Sequence, residues 1–262
     1  NALSQQIQDL TQIISLMVGN LSPEEKAVVD KALIKTYKKK GFTINGKNKI
    51  SKDFPKLKDF YQVLKTMKQK DLATNLEKFV KGSLATVFDK KTNIKLNNRL
   101  VVFDIKDLPE SIRPIMMMIV ANFVNSEVKS KPQKRILVID EGWLLLDNQD
   151  SAKFISGLTR RARKYFLGVS IISQQANDFL NSNEGRAIAS QSALRILLKQ
   201  DTTTIKKVSK EFNLSSYEEQ FLLTCDRGEA LIIADQNHVS VKIVASDKEH
   251  GLLTTDPREI YS

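Results

Sequence analysis

The run Arg135-Ile136-Leu137-Val138-Ile139-Asp140-Glu141 constrains this chain more than any other stretch. Four consecutive aliphatic residues, mostly β-branched, favour an extended backbone and leave no polar face for water. Such a segment suits a strand covered on both sides, as in parallel sheets flanked by helices. Two carboxylates then end it, so its C-terminal tip must meet solvent or a polar partner. In open parallel sheets that tip borders the ligand crevice. One acid there is placed to hold a magnesium shell, and a second to take a proton from water. A strand that simply ends in two solvated acids is spelled the same way, so the surrounding sequence has to decide.

Around this run, apolar segments alternate with helical patterns. Leu100 to Ile105 reads as a second buried strand, followed by a helix over 110–128. A helix over 151–165 leads to a strand at 168–172, and short helices lead to a strand at 193–198. Helices at 202–212 and 216–224 precede strands 229–234 and 239–244, joined through Asp235-Gln236-Asn237-His238. This alternation predicts an α/β fold with a mainly parallel sheet, flanking helices and a C-terminal β-hairpin.

The first third reads differently. Leu3, Ile7, Leu10, Ile13, Ile14 and Met17 recur at helical spacing. Ser22-Pro23 with Glu25 spells a capping box, and Gly41 is a helix stop. Two more helices are expected at 56–67 and 71–80. Residues 1–95 therefore read as a mostly helical subdomain or insertion and 96–262 as the core. Asn1-Ala2 resembles the remnant of a cleaved tag, which places the natural start near Leu3.

The formal charge of +11 over 262 residues favours an acidic partner such as nucleic acid, nucleotide or a membrane face, although a solvated lysine surface explains it equally. Lysines between Lys35 and Lys70 are interleaved with Phe42, Phe54, Phe60 and Tyr61, a pattern compatible with stacking on exposed bases. A single cysteine, Cys225, rules out an internal disulfide and fits a reducing cytoplasm. With two histidines, His238 and His250, a structural zinc site is not expected. No apolar run reaches the roughly 18–20 residues of a membrane span, and no signal peptide opens the chain.

Other polar residues sit where chemistry could use them. Gln174 follows the strand at 168–172; its amide can bond a phosphate oxygen or water without bringing charge, or simply cap the next helix. Arg160, Arg161 and Arg163 end a helix, where they suit the dipole; alternatively one is a finger reaching a neighbour's nucleotide. Arg160 and Arg163 share a face and Arg161 is turned by about 100°, which favours the first two. Arg227, beside Gly228 and Glu229, is the rival. A finger should be exposed and lie near the strand tips that carry Asp140 and Gln174.

The acids match the Walker B pattern of P-loop ATPases, and together these motifs resemble a specific family. Asp140-Glu141-Gly142-Trp143 with Leu144-Leu145-Leu146, the Arg160–Phe166 helix end, Ser173-Gln174, Leu197-Leu198-Lys199-Gln200 and Arg227-Gly228-Glu229 are similar to the VirB/TraC-type ATPases of conjugation and type IV secretion, within the FtsK/HerA-like superfamily. The stretches 82–88, 101–104 and 249–257 extend the likeness over nearly the whole chain. The resemblance implies a RecA-like core that uses ATP and Mg²⁺, with Asp140 on the metal, Glu141 as base, Gln174 as phosphate sensor and an arginine acting between subunits. It further implies a homo-oligomeric ring, expected to be a hexamer, at the cytoplasmic face of the membrane, with secretion-channel proteins and DNA as partners. A non-catalytic DNA-binding or docking module, or a chromosomal DNA translocase of the same superfamily, are the alternatives. Gly142 stands where the family carries Ala, a swap between small residues that reads as harmless. The chain contains no G-x-x-x-x-G-K-S/T phosphate loop, so residues 1–262 alone are expected neither to bind ATP tightly nor to hydrolyse it. Loss of the strand before that loop should leave a gap in the sheet or force strands to re-pair.

Overall fold

The computed structural model describes residues 2–43, 53–90, 98–254 and 258. Their contacts divide the chain into two compact units, Asn1–Ile172 and Ser173–Ser262.

In the first unit, α1 (Ala2–Val18) is followed by α2 (Pro23–Lys39), α3 (Leu57–Thr66), α4 (Lys70–Val80) and the single turn α5 (Ala85–Phe88). The capping box forms as its letters predict. The Ser22 hydroxyl accepts the Glu25 N–H at 3.2 Å, and the Glu25 carboxylate accepts the Ser22 N–H at 2.8 Å. Leu64, Leu76 and Phe79 are fully enclosed where α3 meets α4, each worth roughly 1.5–3 kcal/mol of apolar transfer. After α6 (Arg113–Ser130) come strand β1 (Arg135–Ile139), α7 (Trp143–Leu146), α8 (Gln149–Ala162), a 3₁₀ turn at Arg163–Tyr165, and β2 (Leu167–Ile171). Helix α1 packs against α2, α4, α6 and α8 and forms the spine of this unit.

β1 and β2 pair in parallel, Arg135 opposite Leu167 and Ile139 opposite Ile171. One face carries Leu137, Ile139, Leu167 and Val169 toward the helices. The other carries Ile136 and Val138, which are 77% and 57% exposed, with Gly168 and Ser170 beside them. β1 has no second neighbour among the described residues.

Leu100 to Ile105 does not form the expected strand. The segment keeps a strand's alternation: Leu100 and Val102 are exposed, and Val101, Phe103 and Ile105 are half-buried. Extended backbone becomes a strand only when a neighbour takes its hydrogen bonds, and among the described residues it has no ladder partner.

The second unit runs α9 (Asn177–Leu180), α10 (Asn183–Gln191), β3 (Leu194–Leu197), α11 (Ile205–Phe212), α12 (Ser216–Thr224), β4 (Glu229–Ala234), β5 (Asn237–Lys242) and α13 (Asp247–Leu253). Its sheet is antiparallel in the order β3-β4-β5. Leu197, Leu231 and Ile233 face Leu180, Ile205, Val208 and Leu222 in its core. The hairpin link is tighter than the sequence suggests. Ala234 pairs with Asn237, leaving Asp235 and Gln236 as the turn, with Asp235 in the left-handed region at φ 52°.

Candidate active site

The parallel pairing of β1 and β2 fixes the acidic tip. Ile139 O accepts the Ile172 N–H at 2.8 Å, and Ile172 O accepts the Gly142 N–H at 2.8 Å. The chain is pinned on both sides of Asp140 and Glu141, so these two residues must loop out between the pins. Glu141 does so at φ 51°, a conformation that costs a non-glycine residue energy and clusters at functional sites.

Asp140 is exposed, and its Oδ1 accepts the Glu141 N–H at 3.0 Å. Glu141 is half-buried, and its Oε2 accepts the indole N–H of Trp143 at 2.6 Å. Sequence reasoning treated Trp143 only as part of a motif. The usable signal was a large aromatic with a single polar atom, two residues past an acid.

Gly142 is tighter than expected. A Cβ built there would overlap Ile171 Cγ2 and lie 3.3 Å from Ile172 O. Alanine is therefore not a neutral exchange in this chain, because Ile171 sits against the turn as the register partner of Ile139.

Among the described residues, no three His, Cys, Asp or Glu side chains converge to hold a metal. An ion at Asp140 would take its other ligands from phosphate oxygens and water, which suits Mg²⁺. The carboxylates thus fit the metal side of a nucleotide site. For the phosphate side, residues 1–262 spell no G-x-x-x-x-G-K-S/T pattern.

Arg160, Arg161 and Arg163 are exposed, as a finger requires. Arg161 folds back so that its guanidinium approaches Gly157 one turn earlier on α8. Their place on the strands differs from the expectation. They precede β2, whose first residue Leu167 pairs with Arg135 at the start of β1. The acids follow the end of β1, roughly 15 Å further along the strand direction. The arginine cluster and the acids therefore occupy opposite ends of the same parallel pair, because α8 must return to the starting edge before a parallel strand can begin.

Gln174 and Arg227 belong to the second unit. Gln174 is exposed in the loop after Ile172, which Ser173 closes by donating its hydroxyl to the Asp178 carboxylate. Arg227 is exposed in the turn before β4. There Gly228 adopts φ 87°, its carbonyl accepts the Ile243 N–H at 2.8 Å, and the Glu229 carboxylate accepts the Asp226 N–H at 2.9 Å.

The aromatic platform that the interleaving with lysines would allow does not form. Phe42, Phe60 and Tyr61 are buried, and Phe42 stacks edge-on with Tyr37 at 5.7 Å and packs on Phe54 at 5.0 Å. Of the four rings only Phe54 is exposed. The interleaving is the apolar side of amphipathic segments rather than a surface for bases. Part of that lysine-rich stretch, 44–52, lies outside the described residues. Among the described residues, no helix is long and apolar enough to cross a membrane.

A model of the TraG P-loop domain matches residues 32–250. Among curated relatives, the type IV secretion system protein virB4 of Bartonella quintana (strain Toulouse) is 25% identical over 179 residues, which is 66% of this chain and 23% of that protein. Its counterpart in Bartonella henselae (strain Houston 1) is 25% identical over 155 residues, 58% of this chain and 20% of that protein. The chain thus spans a quarter or less of these relatives. The solved structure of VirB4 of Thermoanaerobacter pseudethanolicus superposes with a TM-score of 0.85 at 26% identity, covering 94% of this chain and 71% of the other.

Proposed function

The chain belongs to the TraG P-loop domain family, and from that premise we propose that it is part of an ATPase motor that powers conjugative DNA transfer or type IV secretion. The observation that carries the reading is the pair of carboxylates held on a pinned tip at the C-terminal end of a parallel strand. The phosphate cradle comes from a G-x-x-x-x-G-K-S/T loop outside residues 1–262. When bound, MgATP supplies the phosphoryl group and the charge that the site must neutralise. Asp140 holds the metal's shell from one side. Glu141 orients the attacking water and takes its proton. Gln174 bonds a phosphate oxygen through its amide. An arginine, from Arg160, Arg163 or Arg227, stabilises charge in the site of the next subunit of a homo-oligomeric ring, a hexamer. Arg160 and Arg163 lie at the edge away from the acids of their own subunit, so their exposure supports the role of a finger and their placement on the strands does not. The ring works at the cytoplasmic face of the membrane against secretion-channel proteins, with DNA as a further partner.

The test uses the full-length protein. Glu141→Gln keeps shape but not basicity, so ATP turnover should fall by about 10²–10⁴-fold while nucleotide binding persists. Mixing that variant with an Arg160→Ala, Arg163→Ala or Arg227→Ala variant should restore partial turnover for the arginine that acts across the interface. Normal hydrolysis by Glu141→Gln, or robust hydrolysis by residues 1–262 alone, would refute the reading.

A further inference from the structure

The structure places an indole donor on the carboxylate that the proposed function makes the base. We propose that Trp143 is a positioning residue for Glu141: its Nε1–H holds one carboxylate oxygen and so helps to set the direction in which the carboxylate lies. The inference rests on the reading of Glu141 as base.

Four observations carry it. The Nε1···Oε2 distance is 2.6 Å, within hydrogen-bond reach of a carboxylate oxygen. Indole nitrogen donates and never accepts, so it can orient a carboxylate without competing for the proton that a base must take. Trp143 is 41% exposed, so packing alone does not account for a large aromatic at this position. Finally, the ring is mounted on a firm support. Helix α7 buries Leu145 and Leu146, the Leu145 carbonyl accepts the Ser151 hydroxyl at 2.7 Å, and the Trp143 carbonyl accepts the Asp147 N–H at 2.9 Å. Glutamate has three side-chain torsions and here starts from a left-handed backbone. The indole ties the carboxylate end of that lever to the helix that follows it. Base and clamp then move as one piece, and a small misplacement of a reacting group can cost about 100-fold in rate.

Two measurements separate the clamp from the base. Trp143 is the sole tryptophan of residues 1–262, so an ¹⁵N–¹H spectrum of this chain shows one indole signal. That signal should shift in Glu141→Ala and stay in place in Asp140→Ala. In the full-length protein, Trp143→Phe keeps the ring and loses the donor. Its kcat should fall roughly 10- to 100-fold with the KM for ATP within about twofold, because only orientation is lost. An indole signal unmoved by Glu141→Ala overturns the contact. A moved signal with unchanged kcat in Trp143→Phe overturns the positioning role and leaves the base reading standing. Full turnover by Glu141→Gln overturns the base reading and the positioning role with it, whatever the indole signal does.

Discussion

One methyl group separates Gly142 from the alanine of the motif it resembles, and Ile171 already occupies the space. Gly142 is helical at φ −58°, so the constraint is contact rather than backbone conformation. Alanine would gain some helix propensity, up to about 1 kcal/mol, and would meet a branched methyl rather than the end of a flexible chain. Overpacking of this kind costs about 1–3 kcal/mol. Gly142→Ala should therefore destabilise the chain by about 1 kcal/mol or more in denaturant unfolding, and Ile171→Ala in the same molecule should recover part of it. Strict additivity of the two substitutions would show that the methyl group does not meet Ile171. The same scale shows what letters conceal. Asp140 and Glu141 were legible because acids after an aliphatic run have a clear physical meaning. The Trp143 bond was not, because it exists only once Glu141 turns left-handed between two pinned residues. The lysine-flanked aromatics left two readings open, because Phe60 and Tyr61 read alike on a helix whether they face a core or a base.

Between elements, the first unit is tied by a buried polar link. Asp150, at the start of α8, accepts the Ser15 hydroxyl of α1 at 2.6 Å and the Lys26 ammonium of α2 at 2.9 Å. Asn148 caps α8 through the Asp150 N–H at 2.9 Å, and its amide donates to Asn20 at 2.7 Å. Burial pushes the Asp150 carboxyl up, but the Ser15 and Lys26 hydrogen bonds outweigh it and hold the group below the usual carboxylate range. A depressed carboxyl stabilises the fold above its unfolded pKa of about 3.9 and loses that contribution as pH falls through its folded value. Asp150→Asn should cost about 1–3 kcal/mol between pH 5 and 8, and the deficit should shrink below about pH 4 as the wild-type acid protonates. A deficit that stays constant into acid would show that charge plays no part in the link. None of this was readable beforehand, since Ser15 and Asp150 stand 135 positions apart. What was readable at this scale is local: the Ser22–Glu25 box, β1, β2 and the β4–β5 hairpin each carry their signal within a few residues. Leu100 to Ile105 has the same apolar signal and fails as a strand, because membership of a sheet depends on a neighbour that the segment itself does not encode.

At the scale of the molecule, each unit leaves an apolar sheet face open. In the first, Ile136 and Val138 stand exposed on the outer face of β1. In the second, Leu194 and Ile196 of β3 lie beside Val239 of β5 across β4, all exposed by about half. Water-facing aliphatic rows of this kind mark surfaces that something else covers. The solved VirB4 relative has 29% of its length unmatched by this chain, and the curated relatives far more, so covering chain is available within proteins of this type. Ile136→Thr keeps the β-branch and loses one apolar carbon arm. In residues 1–262 it should change stability by no more than about 0.5 kcal/mol, since the side chain is already in water. In the full-length protein the same substitution should cost about 1–3 kcal/mol, because there it would strand a hydroxyl and a void under a packed surface. Equal and small effects in both would mean that the β1 face remains open in the whole protein. That result would remove the case for a neighbouring strand or helix seated on it.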